Sequence, residues 1–401
     1  MRYVFIISLI SSLLFGSLSL KNSYSIEKKI VKSLNIPMDF LHSEKFKRFF
    51  KKYKRYKNRN FFNEKNIETY FIPELDKIIK AYNVPDIFLF MAMAESNFAA
   101  KARSSKKAVG IWQFMPKTAE KYGLRIDRFI DERRDPIKST NAAIKYLKYL
   151  HRMFGKWYLA ALAYNAGEGT VLKAIKRAGT DDLSVLLDER KKYLPKESRI
   201  YLLKIISLAK MAYDREYRLN KELNYILARS ENFKILPVYV KGAETLGYIS
   251  SKIKLGKKIL STLNPQYLKG FTPPTGGRYP IYLPNFKYAD FKLYYKPSNR
   301  YKNFITHRVK KGDSLYKIAK RYDVDVDSLK KFNNLKNSLL KVGKILIVPI
   351  PKSHKKIYVV KSGDTILKIA RRFGVDAKKL KKWNGKRDNF IRVGEKLVIL
   401  Y

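Results

Sequence analysis

The sequence predicts a multidomain protein, with an all-α domain, a mixed α/β connector and two small βααβ units. Three observations predict this order. Apolar residues recur at helical spacing between residues 67 and 213. Short strand-like runs separated by turn residues occupy 214–300. The last hundred residues or so contain a repeat, whose first copy is centred on Gly312-Asp313-Ser314 and whose second copy has Gly363-Asp364-Thr365.

The composition limits the partners and the chemistry. The 401 residues include 85 Lys and Arg against 34 Asp and Glu, a net charge of +51. Such a charge implies an anionic partner, namely nucleic acid, a membrane surface or an acidic polymer such as cell wall, although lysines that only solvate helix faces explain part of it. The chain has no cysteine, which excludes disulfides, a thiol nucleophile and a cysteine-linked lipid anchor. The four histidines show no metal-ligand spacing, so we expect neither a metal site nor a cofactor.

Residues 1–20 resemble an export signal. Arg2 precedes the apolar stretch 3–14, and small residues follow at Gly16, Ser17 and Ser19, where a signal peptidase could cut. The helix could instead be retained as an anchor. We therefore expect an exported protein of the periplasm or cell envelope, with membrane association as an open alternative.

A Lys-rich segment at 21–66 follows and is predicted to be helical. It could contact a membrane surface, or it could be a solvated helix or linker.

The all-α domain is predicted at 67–213. Apolar residues at 3–4 spacing indicate a helix from Ile72, and Pro85 suits the first turn of the next. Asp135-Pro136 should open a long helix, and a short apolar helix should stop at the Asn-Ala-Gly-Glu-Gly run 165–169. A helix over 201–211 should complete the domain.

The connector is predicted at 214–300. Strand-like runs lie at 237–240, 279–283 and 291–295, and 272–277 is a turn or linker rich in proline and glycine. Beyond it, the two copies of the repeat should form βααβ units at 306–350 and 356–401.

Glu95 is the strongest candidate for chemistry. It ends an apolar run that begins at Val84 and contains Phe, Met and Ala residues. Burial disfavours a charged carboxylate and raises its pKa, so Glu95 could donate a proton near neutral pH. The competing interpretation is a glutamate at a helix end that faces solvent.

Several spaced motifs point to a known family. They are Glu95-Ser96; Ala102-Arg-Ser104 with Ala108-Val-Gly-Ile-Trp-Gln113-Phe-Met-Pro116; Asp135-Pro136 with Asn141 and Tyr146; Ala163-Tyr164-Asn165-Ala-Gly167; and Leu194-Pro-Lys-Glu197-Ser-Arg199-Ile-Tyr201. In this order, residues 67–213 resemble the lytic transglycosylase domain, a relative of goose-type lysozyme that cleaves bacterial peptidoglycan. Residues 306–401 resemble two LysM modules, which bind glycans that contain N-acetylglucosamine. The whole arrangement is similar to the membrane-bound subgroup of the family.

The resemblance implies an all-α lysozyme-like catalytic domain in which one glutamate, here Glu95, is both acid and base. It would protonate the oxygen between N-acetylmuramic acid and N-acetylglucosamine and then take the proton from the C6 hydroxyl, which leaves a 1,6-anhydro product. This agrees with the sequence. Most glycosidases need a second carboxylate, and none is evident near Glu95. The substrate-binding positions it implies are Ser104, Gln113, Met115, Tyr146, Tyr164, Asn165 and Glu197.

Some of these positions have structural alternatives. Ser104 could make only local loop hydrogen bonds, Asn165 could cap a helix, and Glu197 could pair with Arg199. Glu168 is a further carboxylate without an assigned role.

The resemblance also implies glycan-binding positions in the repeats. These are Gly312, Asp313, Ser314, Leu315, Asn333 and Asn334 in the first unit, and Gly363, Asp364, Thr365, Ile366 and Asn384 in the second. Asp313 and Asp364 could instead cap the helices that follow them.

We therefore expect an exported lytic transglycosylase that acts on peptidoglycan glycan strands and is tethered to them by its modules. Two alternatives are a lysozyme-like muramidase, which would hydrolyse the same bond, and a non-catalytic peptidoglycan-binding protein. Nucleic-acid binding is not expected, because an export signal and glycan modules fit it poorly.

Overall fold

The computed structural model describes residues 23–57, 61–62, 67–228, 233–274, 277–298, 301–322, 324–333, 335, 337–351 and 355–400. The predicted signal peptide and Asn334 lie outside these residues. The chain forms two compact units. Of the described residues, the first unit comprises those up to Tyr239 together with Ser250–Leu268 and Pro280–Tyr295, and the second comprises those in Val240–Ile249, in Lys269–Tyr279 and from Lys296 onward.

The first unit is built mainly of α-helices. They are α1 (23–34), α2 (Met38–His42), α3 (Glu44–Lys57), α4 (Ile72–Ala81), α5 (Phe88–Ser96), α6 (Pro116–Lys121), α7 (Pro136–Phe154), α8 (Trp157–Ala166), α9 (Glu168–Ala178), α10 (Leu183–Leu186), α11 (Lys196–Tyr213) and α12 (Arg218–Ala228). The prediction of an all-α domain is confirmed.

The N-terminal helices belong to the same hydrophobic core as the helices after them. Ile30, Leu34, Phe40 and Phe46 are buried in one cluster with apolar residues of α4 to α12. In its described part, the basic segment therefore forms the three helices α1 to α3, and apolar residues of each are packed in the core.

The helix boundaries follow local sequence signals. The Asp135 carboxylate accepts hydrogen bonds from the backbone N–H groups of Ile137 and Lys138, at 3.0 and 2.9 Å, and Pro136 is the first residue of α7. Gly155, in the left-handed conformation, ends α7. The predicted start of this helix is confirmed, whereas α5 begins at Phe88, three residues after Pro85.

The connector contains β1 (Ile235–Lys241), α13 (Leu246–Lys252), α14 (Lys257–Leu263), β2 (Arg278–Pro284) and α15 (Tyr288–Tyr294). β1 and β2 form a two-stranded sheet, which confirms two of the three predicted strands. The third prediction, a strand over 291–295, is wrong because these residues continue α15 or follow it. The aromatic rings of Phe291 and Tyr295 stack at 4.6 Å, a contact that spacing of four residues on a helix makes and strand alternation does not.

Part of the connector packs on the helical core. Ile235, Leu263 and Tyr282 are buried in the same cluster as the helices. The Tyr282 hydroxyl donates to the Asp135 carboxylate at 2.9 Å, and burial raises the pKa of Asp135 to about 6. Thus β2 is fixed at the N-terminus of α7.

The second unit contains two copies of one βααβ arrangement. The first is β3 (Tyr301–Arg308), α16 (Leu315–Tyr322), α17 (Val326–Asn333) and β4 (Ile345–Pro351), and the second is β5 (Lys355–Val359), α18 (Ile366–Phe373), α19 (Ala377–Trp383) and β6 (Lys396–Leu400). In each copy the two strands pair antiparallel and cover a small core of their own. This confirms the predicted order of elements.

Candidate active site

Glu95 lies in the last turn of α5, where the helix leaves the core. Residues 88–93 of this helix are all buried, and Asn97 ends it in the left-handed conformation with φ 53°. The next residue, Ser96, donates from Oγ to the carbonyl oxygen of Ile111 at 2.9 Å. The burial of α5 thus brings a carboxyl group to the edge of the core, and Ser96 joins the helix end to the loop 102–114.

The surroundings of Glu95 favour its protonated form. Its pKa is raised from 4.5 to about 7; burial is the largest cause, and the negative charge of Glu197 acts in the same direction. Tyr201, by hydrogen bonding, and the positive charge of Lys204 oppose this increase. The side chain of Glu95 nevertheless keeps partial exposure, so a substrate can reach it. A carboxyl group with these properties can donate a proton at neutral pH and accept one afterwards.

Tyr164 lies near Glu95 and is hydrogen-bonded to Trp112. Trp112 is fully buried and donates from Nε1 to the Thr140 hydroxyl at 2.8 Å, while its carbonyl oxygen accepts from the Tyr164 hydroxyl at 2.9 Å. Burial and the nearby charge of Glu95 raise the pKa of Tyr164 well above 10. Tyr164 therefore stays a neutral hydroxyl, and Trp112 acts in packing.

Two predicted site residues, Ser104 and Gln113, lie in the loop 102–114, and a third, Met115, directly follows it. Gln113 has a φ of 47°, unusual for a residue other than glycine, and its side-chain amide donates to the Gly110 carbonyl oxygen at 2.8 Å. The Ser104 hydroxyl accepts from the Ala108 N–H at 3.0 Å, which is the local bond that we considered as an alternative. Met115, directly after the loop, is 44% exposed and offers an apolar surface. Substrate contacts by these three residues stay predictions.

Helices α7, α8 and α9 supply the remaining polar groups. The Asn165 side-chain oxygen accepts from the Ser198 hydroxyl of α11 at 2.8 Å, while Gly167, with φ 86°, follows the end of α8. Asn165 is thus held by a side-chain bond. The Tyr146 hydroxyl donates to the Glu168 carboxylate at 3.1 Å, which gives this unassigned glutamate a partner. The Tyr146 ring lies 5.2 Å from that of Tyr164.

Helix α11 faces Glu95 with Glu197, which the family resemblance implied, and with Tyr201 and Lys204, to which the sequence analysis gave no role. Glu197 is largely exposed and lies 3.8 Å from the Lys106 ammonium, not paired with Arg199, which donates to the Asp188 carbonyl oxygen. Tyr201 is buried and lowers the pKa of Glu95, although within the described part of the chain its hydroxyl has no partner at full hydrogen-bonding geometry. The spacing of Glu197, Tyr201 and Lys204 at four and three residues on one helix would have indicated this shared face.

Comparison with known proteins identifies the family. A model of the transglycosylase SLT domain matches residues 75–186, and a model of the LysM domain matches 307–349 and 358–400. Membrane-bound lytic murein transglycosylase D of Escherichia coli K12 is 30% identical over 344 residues, which cover 80% of this chain and 74% of that protein. The chain belongs to the lytic transglycosylase family. It is a peptidoglycan lytic transglycosylase with two LysM modules.

Two further matches are shorter. A tributyltin chloride resistance protein of Alteromonas sp. strain M-1 is 42% identical over 107 residues, which cover 26% of this chain and 50% of that protein. The solved 70 kDa soluble lytic transglycosylase of Escherichia coli is 24% identical, with a TM-score of 0.29, and covers 35% of this chain and 23% of that chain.

The LysM modules of the transglycosylase share one turn before their first helix. Gly312 and Gly363 have φ values of 83° and 80°. The following carboxylates, Asp313 and Asp364, accept from the backbone N–H three residues earlier, both at 2.8 Å. The helix caps are instead Ser314 and Thr365, which accept from Lys317 and Lys368 N–H groups. The aspartates therefore close the turn and do not cap the helix.

Other predicted module positions serve the fold. Leu315 and Ile366 are buried in the module cores. Asn384 donates to the carbonyl oxygens of Leu380 and Val398, both at 2.8 Å, and accepts from the Val398 N–H, and Asn333 makes the equivalent bonds in the first module. These amides connect a helix to the closing strand, and glycan contact by any of the predicted module residues stays a prediction.

The modules expose apolar side chains at equivalent positions. Leu339 and Val342 of the first module are 79% and 69% exposed, and Phe390 and Val393 of the second are 63% and 69% exposed. Sequence patterning missed these four residues, although their repetition in both copies is visible in the sequence. Because they recur in both copies, these exposed apolar side chains are candidates for contact with a ligand.

Among the described residues, no group of three histidines, aspartates or glutamates is arranged to hold a metal ion.

Proposed function

We propose that the transglycosylase cleaves the β-1,4 bond between N-acetylmuramic acid and N-acetylglucosamine without water and releases 1,6-anhydromuramoyl ends. The observation that carries this proposal is the Glu95 carboxyl group, whose pKa burial raises to about 7. At neutral pH it exists in both protonation states, which a group that is first acid and then base requires.

The reaction has two steps. Protonated Glu95 gives its proton to the glycosidic oxygen while the bond from that oxygen to C1 of muramic acid breaks, and the neighbouring acetamido group supports the positive charge at C1. The Glu95 carboxylate then takes the proton from the C6 hydroxyl while the C6 oxygen forms the bond to C1. The glutamate ends protonated, and no water is consumed.

The other carboxylates of the motifs have partners elsewhere, which supports a single catalytic carboxyl group. Glu168 accepts the hydroxyl hydrogen of Tyr146. Glu197 is exposed and close to Lys106. Its negative charge raises the pKa of Glu95, because a nearby anion favours the protonated form of a carboxyl group. The tyrosines around Glu95 offer neutral hydroxyl groups to sugar atoms.

Mass spectrometry of products from purified peptidoglycan tests the chemistry. Anhydromuramoyl ends are expected, and reducing muramic acid ends would instead show a muramidase. The matched variant is Glu95→Gln, which should abolish product release while sedimentation with cell-wall sacculi through the LysM modules persists. If this variant stayed active, Glu95 would not be the acid.

We also propose that the enzyme is exported and that the basic face of α3 contacts an anionic membrane surface. The export signal is a sequence inference on residues 1–20. Lys47, Arg48, Lys51, Lys52 and Arg55 are exposed on α3, and their spacing places them on one face, opposite the packed Phe46. Within the residues that the structure describes, no helix is both long and apolar enough to span a bilayer.

A further inference from the structure

The buried side chain of Arg133 is hydrogen-bonded to the loop 102–114. Nη1 of Arg133 donates to the carbonyl oxygens of Lys107 and Phe114, at 3.0 and 3.2 Å. Its Nε and Nη2 donate to the two oxygens of Asp131, at 2.9 and 2.8 Å. The Arg133 side chain is 8% exposed. A planar group with donors in fixed directions thus joins two points of the loop to a neighbouring segment.

The contact between Arg133 and the loop is also a close backbone approach. The carbonyl oxygen of Arg133 lies so near Gly110 that an added Cβ would be 1.8 Å away. Gly110 in turn accepts the side-chain amide of Gln113, and Trp112 holds the Tyr164 hydroxyl beside Glu95. A displacement of Arg133 would therefore move the loop that bears these groups.

The segment that carries Arg133 is fixed by the connector. The Asp131 N–H donates to the Gln266 carbonyl oxygen at 3.0 Å, and the Leu268 N–H donates to the Phe129 carbonyl oxygen at 2.9 Å. These bonds pair 266–268 with 129–131 as a short antiparallel bridge.

A second connector element holds the other end of the same segment. The Tyr282 hydroxyl, on β2, donates to Asp135. The buried Asn264 side chain joins β2 to α14 by accepting from the Tyr282 N–H and donating to the Tyr282 carbonyl oxygen, at 2.8 and 2.9 Å. The segment 129–135 is therefore held between two parts of the connector that are fixed to each other.

We propose that Arg133 is a positioning residue for peptidoglycan cleavage, and that residues 264–268 and 280–284 of the connector act through it to set the position of the loop 102–114. These two stretches are then part of the catalytic unit and do not belong to a spacer between catalytic and binding modules. This inference rests on the proposed assignment of the loop to the substrate groove.

The test uses the full-length enzyme and a soluble peptidoglycan oligomer. Arg133→Lys keeps a positive charge near Asp131 but loses the fork that reaches two loop carbonyls. We expect KM to rise about tenfold or more, since small displacements of positioning groups weaken catalysis strongly. The upper limb of the pH profile should remain near the value that Glu95 sets. The matched control is Arg128→Lys, which removes an exposed guanidinium from the same segment and should leave KM unchanged.

Tyr282→Phe extends the test to the connector, because it removes one hydroxyl and keeps the ring. It should raise KM in the same direction by a smaller factor, and it decides the outcome if Arg133→Lys does not fold. A purely structural role would lower the melting temperature of either variant and leave KM unchanged well below it, and that result would overturn the inference. If Glu95→Gln is inactive while these variants keep a normal KM, only this inference fails and the proposed function stands.

Discussion

The Tyr201 hydroxyl lies beside the Glu95 carboxyl group and lowers its pKa, against the burial that raises it. The two side chains come from α5 and α11, which pack together in the core. Among the described residues, this hydroxyl has no partner at full hydrogen-bonding geometry. Tyr201 therefore reduces the increase in pKa that burial causes at Glu95.

Replacing Tyr201 should shift the pH dependence of the enzyme. In Tyr201→Phe the carboxylate loses a hydrogen-bond donor, so the pKa of Glu95 should rise above 7. Because the acid form starts the reaction, the upper limb of kcat/KM against pH should move to higher pH. Tyr213→Phe, on the same helix but bonded to Asp86, should leave that limb in place. An unmoved limb in Tyr201→Phe would contradict the assigned contact.

Glu95 should also make the catalytic unit less stable as pH rises. In the unfolded chain a glutamate loses its proton near pH 4.5, whereas in the folded enzyme Glu95 keeps it to about pH 7. Stability therefore falls between these values and stays lower above them. Glu95→Gln carries no charge, so it should match the native enzyme near pH 4 and exceed it at pH 8 by up to about 3 kcal/mol.

Calorimetry of the catalytic transition at both pH values measures this difference. Glu216→Gln, at an exposed position, is the control and should alter the melting temperature little at either pH. An equal effect of Glu95→Gln at pH 4 and pH 8 would show that the carboxyl group is not buried as described.

Gly110, in the loop 102–114, should be less replaceable than Gly123, a glycine of similar backbone conformation outside the loop. Gly110→Ala combines a left-handed φ of 86° with a Cβ placed 1.8 Å from the Arg133 carbonyl oxygen. Gly123 has nearly the same φ, 84°, but nothing lies within 4 Å of its added Cβ. Gly123→Ala should therefore cost about 1–2 kcal/mol for the backbone conformation alone. Gly110→Ala should cost clearly more, and comparison of the two melting temperatures isolates the close approach. Equal losses would mean that the loop and Arg133 are not in contact.

The sequence contained most of the fold and the centre of the site, for reasons visible in single residues. Asp135-Pro136 is a local signal, and α7 begins there. Glu95 could be found because an apolar run made its carboxyl group anomalous. The bridge between 129–131 and 266–268 could not be predicted, since it consists of backbone bonds across more than a hundred residues and leaves no side-chain pattern. The short run 291–295 was ambiguous, because alternation and helical spacing both fit so few residues.

The basic face of α3 should bind anionic bilayers. Lys51→Glu with Lys52→Glu should reduce co-sedimentation of the full-length enzyme with vesicles of anionic phospholipid, because each lysine near such a surface contributes attraction of about 1 kcal/mol. Lys257→Glu with Lys258→Glu makes the same change in net charge at exposed positions of α14 and is the matched control. Equal losses in both double variants would assign the binding to net charge, and α3 would not be a docking face.

In the modules, glycan binding and stability should separate. Asn384→Ala removes three hydrogen bonds, one to Leu380 of α19 and two to Val398 of β6. It should destabilise the second module by roughly 2–3 kcal/mol, since each such bond contributes about 1 kcal/mol. Phe390→Ser changes a side chain that is 63% exposed, so stability should be kept while binding to sacculi weakens if this apolar surface contacts the glycan. Melting temperature and sedimentation with sacculi, measured on both variants, distinguish the two roles. Weakened binding in a fully stable Asn384→Ala variant would show instead that this amide contacts the glycan directly.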